Sequence, residues 1–181
     1  MLFVSILLGK VFPKYLYIVS LLRLTRIAMS LSMGYLTSKQ KLIWKLKKQG
    51  FSEANIARKL NVARQTVHKA LNVANFKLYN ALVESAKINR IKIEIIDPVQ
   101  GFLVGYSPIF KTKAIITFST KNGIQIWYKH KGNCRNCDQL QVCKEMLLAE
   151  AEERGIKFPE NASSMNPSEL AEILFSKIIG E

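Results

Sequence analysis

The chain has 181 residues, of which 49% are hydrophobic, and it carries a formal net charge of +14 at pH 7. This length and apolar content exclude an intrinsically disordered chain, because they suffice to bury a core in one ordinary domain or two small ones. A positive charge of this size favours a polyanionic partner, and nucleic acid is the default.

The positive charge is concentrated in one part of the chain. Residues 33–80 hold ten Lys and Arg but a single acid, Glu53, whereas residues 81–181 hold thirteen basic and twelve acidic residues. This distribution indicates a short, strongly basic module that is joined to a nearly neutral one.

Residues 1–32 are apolar and basic. Lys10, Pro13 and Lys14 interrupt the apolar run, so neither half reaches the roughly 18 apolar residues of a transmembrane helix. A secretory signal is not indicated, because no charged segment precedes the apolar run and no Ala-x-Ala-like site follows it. We interpret this segment as an upstream extension outside the fold, with Met33 as the natural start and a peripheral anchor as the alternative. We expect no stable membrane insertion.

The pattern of residues 37–71 predicts three helices. Their apolar positions recur at helical spacing: Leu42, Ile43, Leu46, Ile56, Ala57, Leu60, Val67, Ala70 and Leu71. Gly50 ends the first helix, Ser52 offers a hydroxyl cap to the second, and Asn61 tolerates the left-handed conformation of a tight turn. The small Ala57 permits a close crossing of two helices, and Val67 is predicted to pack into that crossing.

The segment FSEANIARKLNVARQTVHKAL resembles the helix-turn-helix of bacterial and archaeal transcription regulators, nearest to the variety of sigma-factor region 4 and LuxR-type proteins. The resemblance covers residues 36–71. Two positions depart from the pattern of the family, since Asn61 replaces the commoner Gly and Ala63 replaces the usual Ser or Thr cap of the recognition helix. The resemblance implies that this helix enters the major groove of duplex DNA.

The resemblance also implies two sets of DNA contacts. The side chains expected at base edges lie on the recognition helix: Arg64, Gln65, Thr66, His68 and Lys69. The side chains expected at phosphates lie near the starts of the two preceding helices: Lys39, Lys41, Ser52 and Asn55. The alternative is that these polar residues only solvate the surface of a three-helix unit.

No Pro or Gly occurs in residues 68–90, so the recognition helix runs on or is closely followed by another. An apolar stripe follows it: Val67, Leu71, Ala74, Leu78 and Ala81. The stripe is either a coiled-coil seam or a face that packs on the rest of the chain. We predict a homodimer, because regulators with one helix-turn-helix usually dimerise to bind two half-sites.

At Ile91 the apolar period changes from helical to alternating, which indicates strands. Strands are predicted over residues 91–96, 102–107, 113–119 and 124–130. Asn122–Gly123 indicates a type I′ hairpin between the last two. A helix over Val142–Arg154 follows, and another begins after the cap Asn166. The predicted fold class is α+β, with a helix-turn-helix domain and linker helix (residues 33–88), then a small antiparallel sheet with C-terminal helices (residues 89–181).

All three cysteines follow closely after a histidine. Disulfides are not indicated, because the number is odd and no secretory signal is found. We predict a structural metal site with one His and three Cys ligands: His130, Cys134, Cys137 and Cys143. Strand alternation groups His130 with the inward side chains of its strand. Zinc is favoured over an iron–sulfur cluster, which generally needs a fourth cysteine, and reduced thiols without an ion are the remaining alternative.

Together these patterns predict a cytoplasmic, sequence-specific regulator of transcription that binds double-stranded DNA. No phosphate-binding loop, nucleophile elbow or pair of catalytic carboxylates is found in the sequence, so we expect no enzymatic activity. The alternatives are an iron–sulfur redox-sensing regulator, or the DNA-binding part of a recombinase or transposase system. Residues 81–181 specify no small-molecule effector.

Overall fold

The computed structural model describes residues 2–5, 36–130 and 134–180, with side chains for residues 36–129, 134 and 136–180. The fold class is α+β, as predicted. The elements in chain order are β1 (Leu2–Ser5), α1 (Ser38–Lys48), α2 (Glu53–Leu60), α3 (Arg64–Ile88), β2 (Lys92–Asp97), β3 (Phe102–Ser107), β4 (Thr112–Ser119), β5 (Gly123–His130), α4 (Leu140–Glu153) and α5 (Pro167–Ile179). Short 3-10 turns occupy Cys134–Asn136 and Glu160–Ser163.

Strands β2 to β5 form an antiparallel sheet in which each strand pairs with the next along the chain. Strand β1 pairs with the outer edge of β5, with Leu2 opposite His130 and Ser5 opposite Trp127. The interpretation of residues 1–32 as lying outside the fold did not anticipate this pairing. The rest of that segment lies outside the described residues.

Two local features of the sheet differ from the sequence prediction. A β-bulge between Ile93 and Ile95 interrupts the alternation of β2, and both side chains are exposed, by 42% and 51%. The hairpin between β4 and β5 has Ser119 paired with Gly123, so its loop has three residues. In this loop region only Gly123 has a positive φ, of 71°. The hairpin prediction is confirmed, but its type I′ turn is wrong because that turn needs positive φ at both central residues.

The sheet lies between two layers of helices. Successive residues of a strand face opposite sides, and on one side Ile116 and Tyr128 pack against Leu82 in the C-terminal half of α3. On the other side Ile115 and Trp127 pack against α4 and α5. The cap predicted for α5 at Asn166 is present, since the Asn166 N–H donates to Glu169 Oε2 at 2.8 Å. Gly180 ends this helix at a φ of 81°.

The three N-terminal helices have a core of their own: Ile43, Leu46, Ile56, Ala57, Val67 and Leu71. A second cluster joins these helices to the sheet, where the ring of Trp44 packs edge-on against Phe118 with 5.3 Å between centroids. Helix α3 contributes to both clusters. One continuous helix of 25 residues therefore connects the basic N-terminal helices to the sheet.

This arrangement decides between the two interpretations of the α3 stripe. Its five side chains are all at most 6% exposed: Val67, Leu71, Ala74, Leu78 and Ala81. They pack on α1, α2 and the sheet of the same chain. The stripe is therefore an internal packing face, and its apolar side chains are not available as a coiled-coil seam. Within the described ranges, no helix combines the length and the apolarity that crossing a membrane requires.

Candidate nucleic-acid interface

The connection between α2 and α3 consists of three residues and begins at Asn61, which adopts the left-handed conformation (φ 49°, ψ 52°). The Asn61 N–H donates to the Arg58 carbonyl at 3.3 Å, and the Val62 N–H donates to the Ala57 carbonyl at 3.0 Å. These bonds satisfy the last carbonyls of α2 in the manner of a Schellman motif. The predicted role of Asn61 in a tight turn is therefore confirmed.

The two helices are held together by the side chains that the sequence placed at their crossing. Val67 is fully buried and Ala57 is 6% exposed, and both belong to the core of the N-terminal helices. Ala63, at the cap position of α3, makes no side-chain cap hydrogen bond. The helix thus begins without a side-chain cap, because an alanine has no oxygen to offer to the first free N–H groups.

The first two turns of α3 present their polar side chains to solvent. All five residues predicted at base edges are exposed: Arg64, Gln65, Thr66, His68 and Lys69. They lie around the fully buried Val67, which faces the core. The first two turns of α3 are therefore anchored to the core through Val67, and their outer, polar face is accessible to solvent. We call this face the polar end of α3.

A carboxylate that the sequence analysis did not assign lies at this surface. Glu53, the first residue of α2, places Oε1 at 3.3 Å from His68 Nδ1 and Oε2 at 3.8 Å from Arg64 Nε. His68 Nε2 lies 3.1 Å from Asn72 Nδ2. Both ring nitrogens of His68 thus have partners, which is consistent with a proton on Nδ1. The signal for this contact in the sequence is that Glu53 is the only acid in residues 33–80.

The Glu53 contacts divide the five exposed residues into two groups. Arg64 and His68 are oriented by Glu53, whereas within the described part of the chain no hydrogen bond or ion pair engages the side chains of Gln65, Thr66 or Lys69. The Arg64 side chain is 74% exposed and its contact to Glu53 is long, so it exchanges this partner for another at little cost.

The four residues predicted at phosphates differ in their exposure and in their hydrogen-bond partners. The Ser52 hydroxyl accepts the Asn55 N–H at 3.2 Å, so it serves as the cap of α2, and the Asn55 side-chain oxygen accepts from Arg58 Nη2 at 2.5 Å. Lys39 is exposed and Lys41 is half-buried in the first turns of α1. Ser52 and Asn55 therefore have structural partners already, although both are exposed.

The start of α1 is separated from the polar end of α3. Lys77 Nζ donates to Gln40 Oε1 at 3.3 Å, which places the first turn of α1 beside the middle of α3. Lys77 follows Lys69 by eight residues, or about 12 Å along a helix axis. The structure thus brings Ser52 and Asn55 near the polar end of α3. Lys39 and Lys41, which belong to α1, lie beside the middle of α3 instead.

Cys134 and Cys137 lie in the segment that leads into α4, and Cys143 lies in the first turn of this helix. Cys134 and Cys143 are buried, and Cys137 is half-buried. The Cys137 N–H donates to the Cys134 carbonyl at 3.2 Å, and the Cys143 N–H donates to the Gln139 carbonyl at 2.9 Å. Among the described side chains, no three potential ligands lie close enough together to hold a metal ion. The His130 side chain lies outside the described residues.

The faces of β5 also bear on the predicted ligand set. Ile124, Ile126 and Tyr128, which the alternation grouped with His130, pack on the α3 side of the sheet. Cys143 lies on α4, whose Leu147 packs on the opposite side. Cys143 therefore lies in the helix layer on the side of the sheet opposite to the face formed by Ile124, Ile126 and Tyr128.

Comparisons with protein-family models, with curated proteins and with solved structures gave no match for this chain.

Proposed function

We propose that the chain is a sequence-specific, non-enzymatic regulator of transcription, in which α2, the Asn61 turn and α3 form a helix-turn-helix that binds duplex DNA. The observation that supports it best is the exposed polar end of α3. This end follows the short left-handed turn at Asn61, and the buried side chains of Ala57 and Val67 fix it against α2. Such an end is the part of a recognition helix that meets base edges. A cytoplasmic location follows from this function as part of the same proposal.

The surrounding charge supports the same function. The described helices α1 to α3 carry eleven basic residues. Glu53 lies in contact with two side chains of this surface, Arg64 and His68. Neutralised phosphates release counterions, so a surface of this kind binds DNA in a salt-dependent manner. In this proposal Gln65, Thr66 and Lys69 meet the groove directly, and Arg64 leaves Glu53 to bind a base.

Selection of bound duplexes from a random pool, followed by titrations at several salt concentrations, tests this function. We expect Arg64→Ala to relax preference at one position of the selected site, at a cost of about 1–3 kcal/mol on that site. Lys41→Ala should weaken binding to all sequences about equally and reduce the slope of log affinity against log salt by about one.

The two variants serve as each other's control, since both remove one positive charge from the same domain. If both variants lose affinity equally for all sequences, the division into base and phosphate contacts is contradicted. The absence of any enriched sequence, with salt-insensitive binding, would contradict the regulator proposal as a whole. Glu145→Ala, on the exposed surface of α4, controls for general effects of a surface substitution.

A structural metal at the cysteine cluster is a separate part of the proposal. It is supported by the close spacing of three cysteines, two of them buried, at the junction of β5 and α4. Zinc is the first candidate and an iron–sulfur cluster the second. A metal there would join the end of the sheet to the following helix.

Elemental analysis and thermal melting test the metal. We expect one zinc per chain, a lower melting temperature after treatment with a chelator, and a similar loss in Cys137→Ser. Unchanged melting with and without chelator, in protein that contains no metal, would contradict the site. Visible absorbance in anaerobically purified protein would instead indicate the iron–sulfur alternative.

The homodimer stays a prediction, which rests on the need of such regulators to bind two half-sites. The buried stripe on α3 is not the interface. The same helix exposes other apolar side chains, Val73 by 44%, Phe76 by 67% and Tyr79 by 45%.

A further inference from the structure

A cavity of about 320 Å³ lies where the end of α1, the β2–β3 turn and the ends of α4 and α5 meet. Its polar lining comes from four separate elements: Lys48, Asp97, Gln100, Arg154 and Lys177. Apolar side chains, among them Phe102 and Ile156, complete the wall. This volume is at the lower end of the range for small-molecule sites, which are typically concave and mostly apolar with a few convergent polar groups.

The cationic groups of the cavity outnumber its acids. Lys48, Arg154 and Lys177 line it together with a single carboxylate, Asp97. Lys177 Nζ donates to a backbone carbonyl, that of Lys157, at 3.0 Å. The charge of Arg154 is matched by Glu150, whose Oε1 lies 2.9 Å from Arg154 Nη2. Among the described residues of the wall, one positive charge therefore remains in excess over the acids.

Arg154 is a fixed part of this wall. Its guanidinium donates to the Gln100 carbonyl at 2.6 Å and to the Phe118 carbonyl at 3.1 Å, and its side chain is 5% exposed. These bonds tie α4 to the loop before β3 and to the end of β4. Arg154 thus supplies a positive potential to the cavity without being able to move into it.

Lys48 is less completely paired. Its ammonium donates to Gln100 Oε1 at 2.9 Å and lies 5.0 Å from the centre of the Trp44 ring. Among the described residues no acid lies within ion-pair distance of Lys48. Burial is the main cause that lowers the pKa of Lys48 from 10.5 to about 8. Arg154 and Lys47 lower it further, and Asp97 has the opposite effect.

We propose that this cavity binds a small organic carboxylate with an apolar tail, whose anionic group pairs with Lys48 while its tail lies against Phe102 and Ile156. The carboxylate supplies the negative charge that the wall lacks, and the apolar side chains make a free inorganic anion a poorer ligand. The ligand would touch α1 and the sheet domain at once. Control of DNA affinity by the ligand would rest on the proposed function, whereas the binding itself does not.

Calorimetric titration of the full chain with sodium hexanoate at pH 8, without DNA, tests the site. A bound carboxylate favours the charged form of Lys48, so binding takes up protons. Because the pKa of Lys48 is about 8, we expect an uptake of up to about half a proton per ligand, measured as a difference in heat between two buffers with different heats of ionisation.

Lys48→Met should weaken hexanoate binding at least about tenfold and abolish the proton uptake, because the pairing charge is removed. Lys47→Met is the matched control, since Lys47 is exposed and lies outside the cavity lining. It should bind hexanoate nearly as well as wild type and keep most of the proton uptake, because Lys47 has the weakest of the influences on the pKa of Lys48. If circular dichroism shows that Lys48→Met does not fold, Lys177→Met serves as a second cavity variant. We expect it to weaken hexanoate binding by a smaller factor than the one expected for Lys48→Met.

Several results would overturn the proposal. These are no saturable binding of hexanoate beyond that of sodium chloride, equal binding of sodium phosphate, or the same loss in Lys47→Met and Lys48→Met. None of these measurements involves DNA, so their failure leaves the regulator proposal unaffected.

Discussion

At the scale of single residues, the polar end of α3 and the cavity both contain charges that are only partly matched by neighbouring side chains. At the polar end of α3, Glu53 orients Arg64 and His68. In the cavity, Lys48 faces Arg154 and has an amide instead of a carboxylate as its hydrogen-bond partner. Structural charges are normally paired when they are buried, so incomplete pairing marks positions where a partner is expected.

The lowered pKa of Lys48 predicts a dependence of stability on pH. The folded-state pKa is about 8 and the unfolded value is 10.5, so between these values the unfolded chain binds more protons. The contribution of Lys48 to the free energy of unfolding therefore rises with pH from about 8 to 10.5. Urea unfolding at several pH values in this window should show a rise in wild type that is smaller in Lys48→Met.

Other lysines and tyrosines titrate in the same window, so the comparison needs a reference. Lys47→Met removes a neighbouring lysine that is exposed. We expect it to retain most of the wild-type rise, because Lys47 has the weakest of the influences on the pKa of Lys48. The same pH dependence in both variants would contradict the assignment of this effect to Lys48.

At the scale of elements, α3 is held by packing more than by its cap. Ala63 has the extended conformation of a cap residue (φ −65°, ψ 144°) but makes no side-chain cap hydrogen bond, and its carbonyl accepts the Thr66 N–H at 2.9 Å. The helix begins where Val67 and Leu71 enter the core of the N-terminal helices. Burial of the apolar face thus compensates for free N–H groups at the end that would meet DNA.

Ala63→Ser supplies the missing cap. Because the backbone is already extended at this position, the new hydroxyl can accept a hydrogen bond from an N–H of the first turn. We expect the free energy of unfolding to rise by about 0.5–1 kcal/mol. Thermal or urea unfolding measures the change. Ala54→Ser, at an exposed position inside α2, is the control and should be neutral or slightly destabilising. Equal effects in both variants would show that position 63 does not act as a cap.

At the scale of the whole molecule, a buried ion pair at the end of α4 joins this helix to the sheet through the hydrogen bonds of its two members. Arg154 and Glu150 are 5% and 1% exposed, and Glu150 also accepts from the Thr117 hydroxyl at 3.0 Å. Burial raises the pKa of Glu150, and Arg154 and Thr117 act in the opposite direction. The pair connects α4 to the strand ends that form the cavity.

Breaking this pair on one side leaves a buried charge without its partner. We expect Glu150→Leu to destabilise the chain by about 3–5 kcal/mol. The double variant Glu150→Leu/Arg154→Met should recover a large part of that loss, because neither charge then remains in the interior. Chemical unfolding of the single and double variants measures the difference. A double variant that is less stable than either single variant would contradict a role of charge pairing in this loss.

The sequence alone determined the local structure of this protein to a large extent. The helical period, the Ser52 and Asn166 caps and the Asn61 turn depend on neighbours within a few residues, so their physical causes are present in any short stretch of sequence. The same holds for the apolar positions of the strands after Ile91, although the β-bulge and the three-residue hairpin loop depend on how adjacent strands pair.

Tertiary structure decided which of these faces and charges meet. The α3 stripe carries the same pattern whether it forms a seam between chains or packs inside one, and only the position of the sheet resolves the choice. The contacts of Glu53 with Arg64, of Lys48 with Gln100 and of Arg154 with the strand ends join residues 11 to 54 positions apart. Such pairs follow from the packing of whole elements, because loop closure and burial, not local conformational preference, bring distant side chains together.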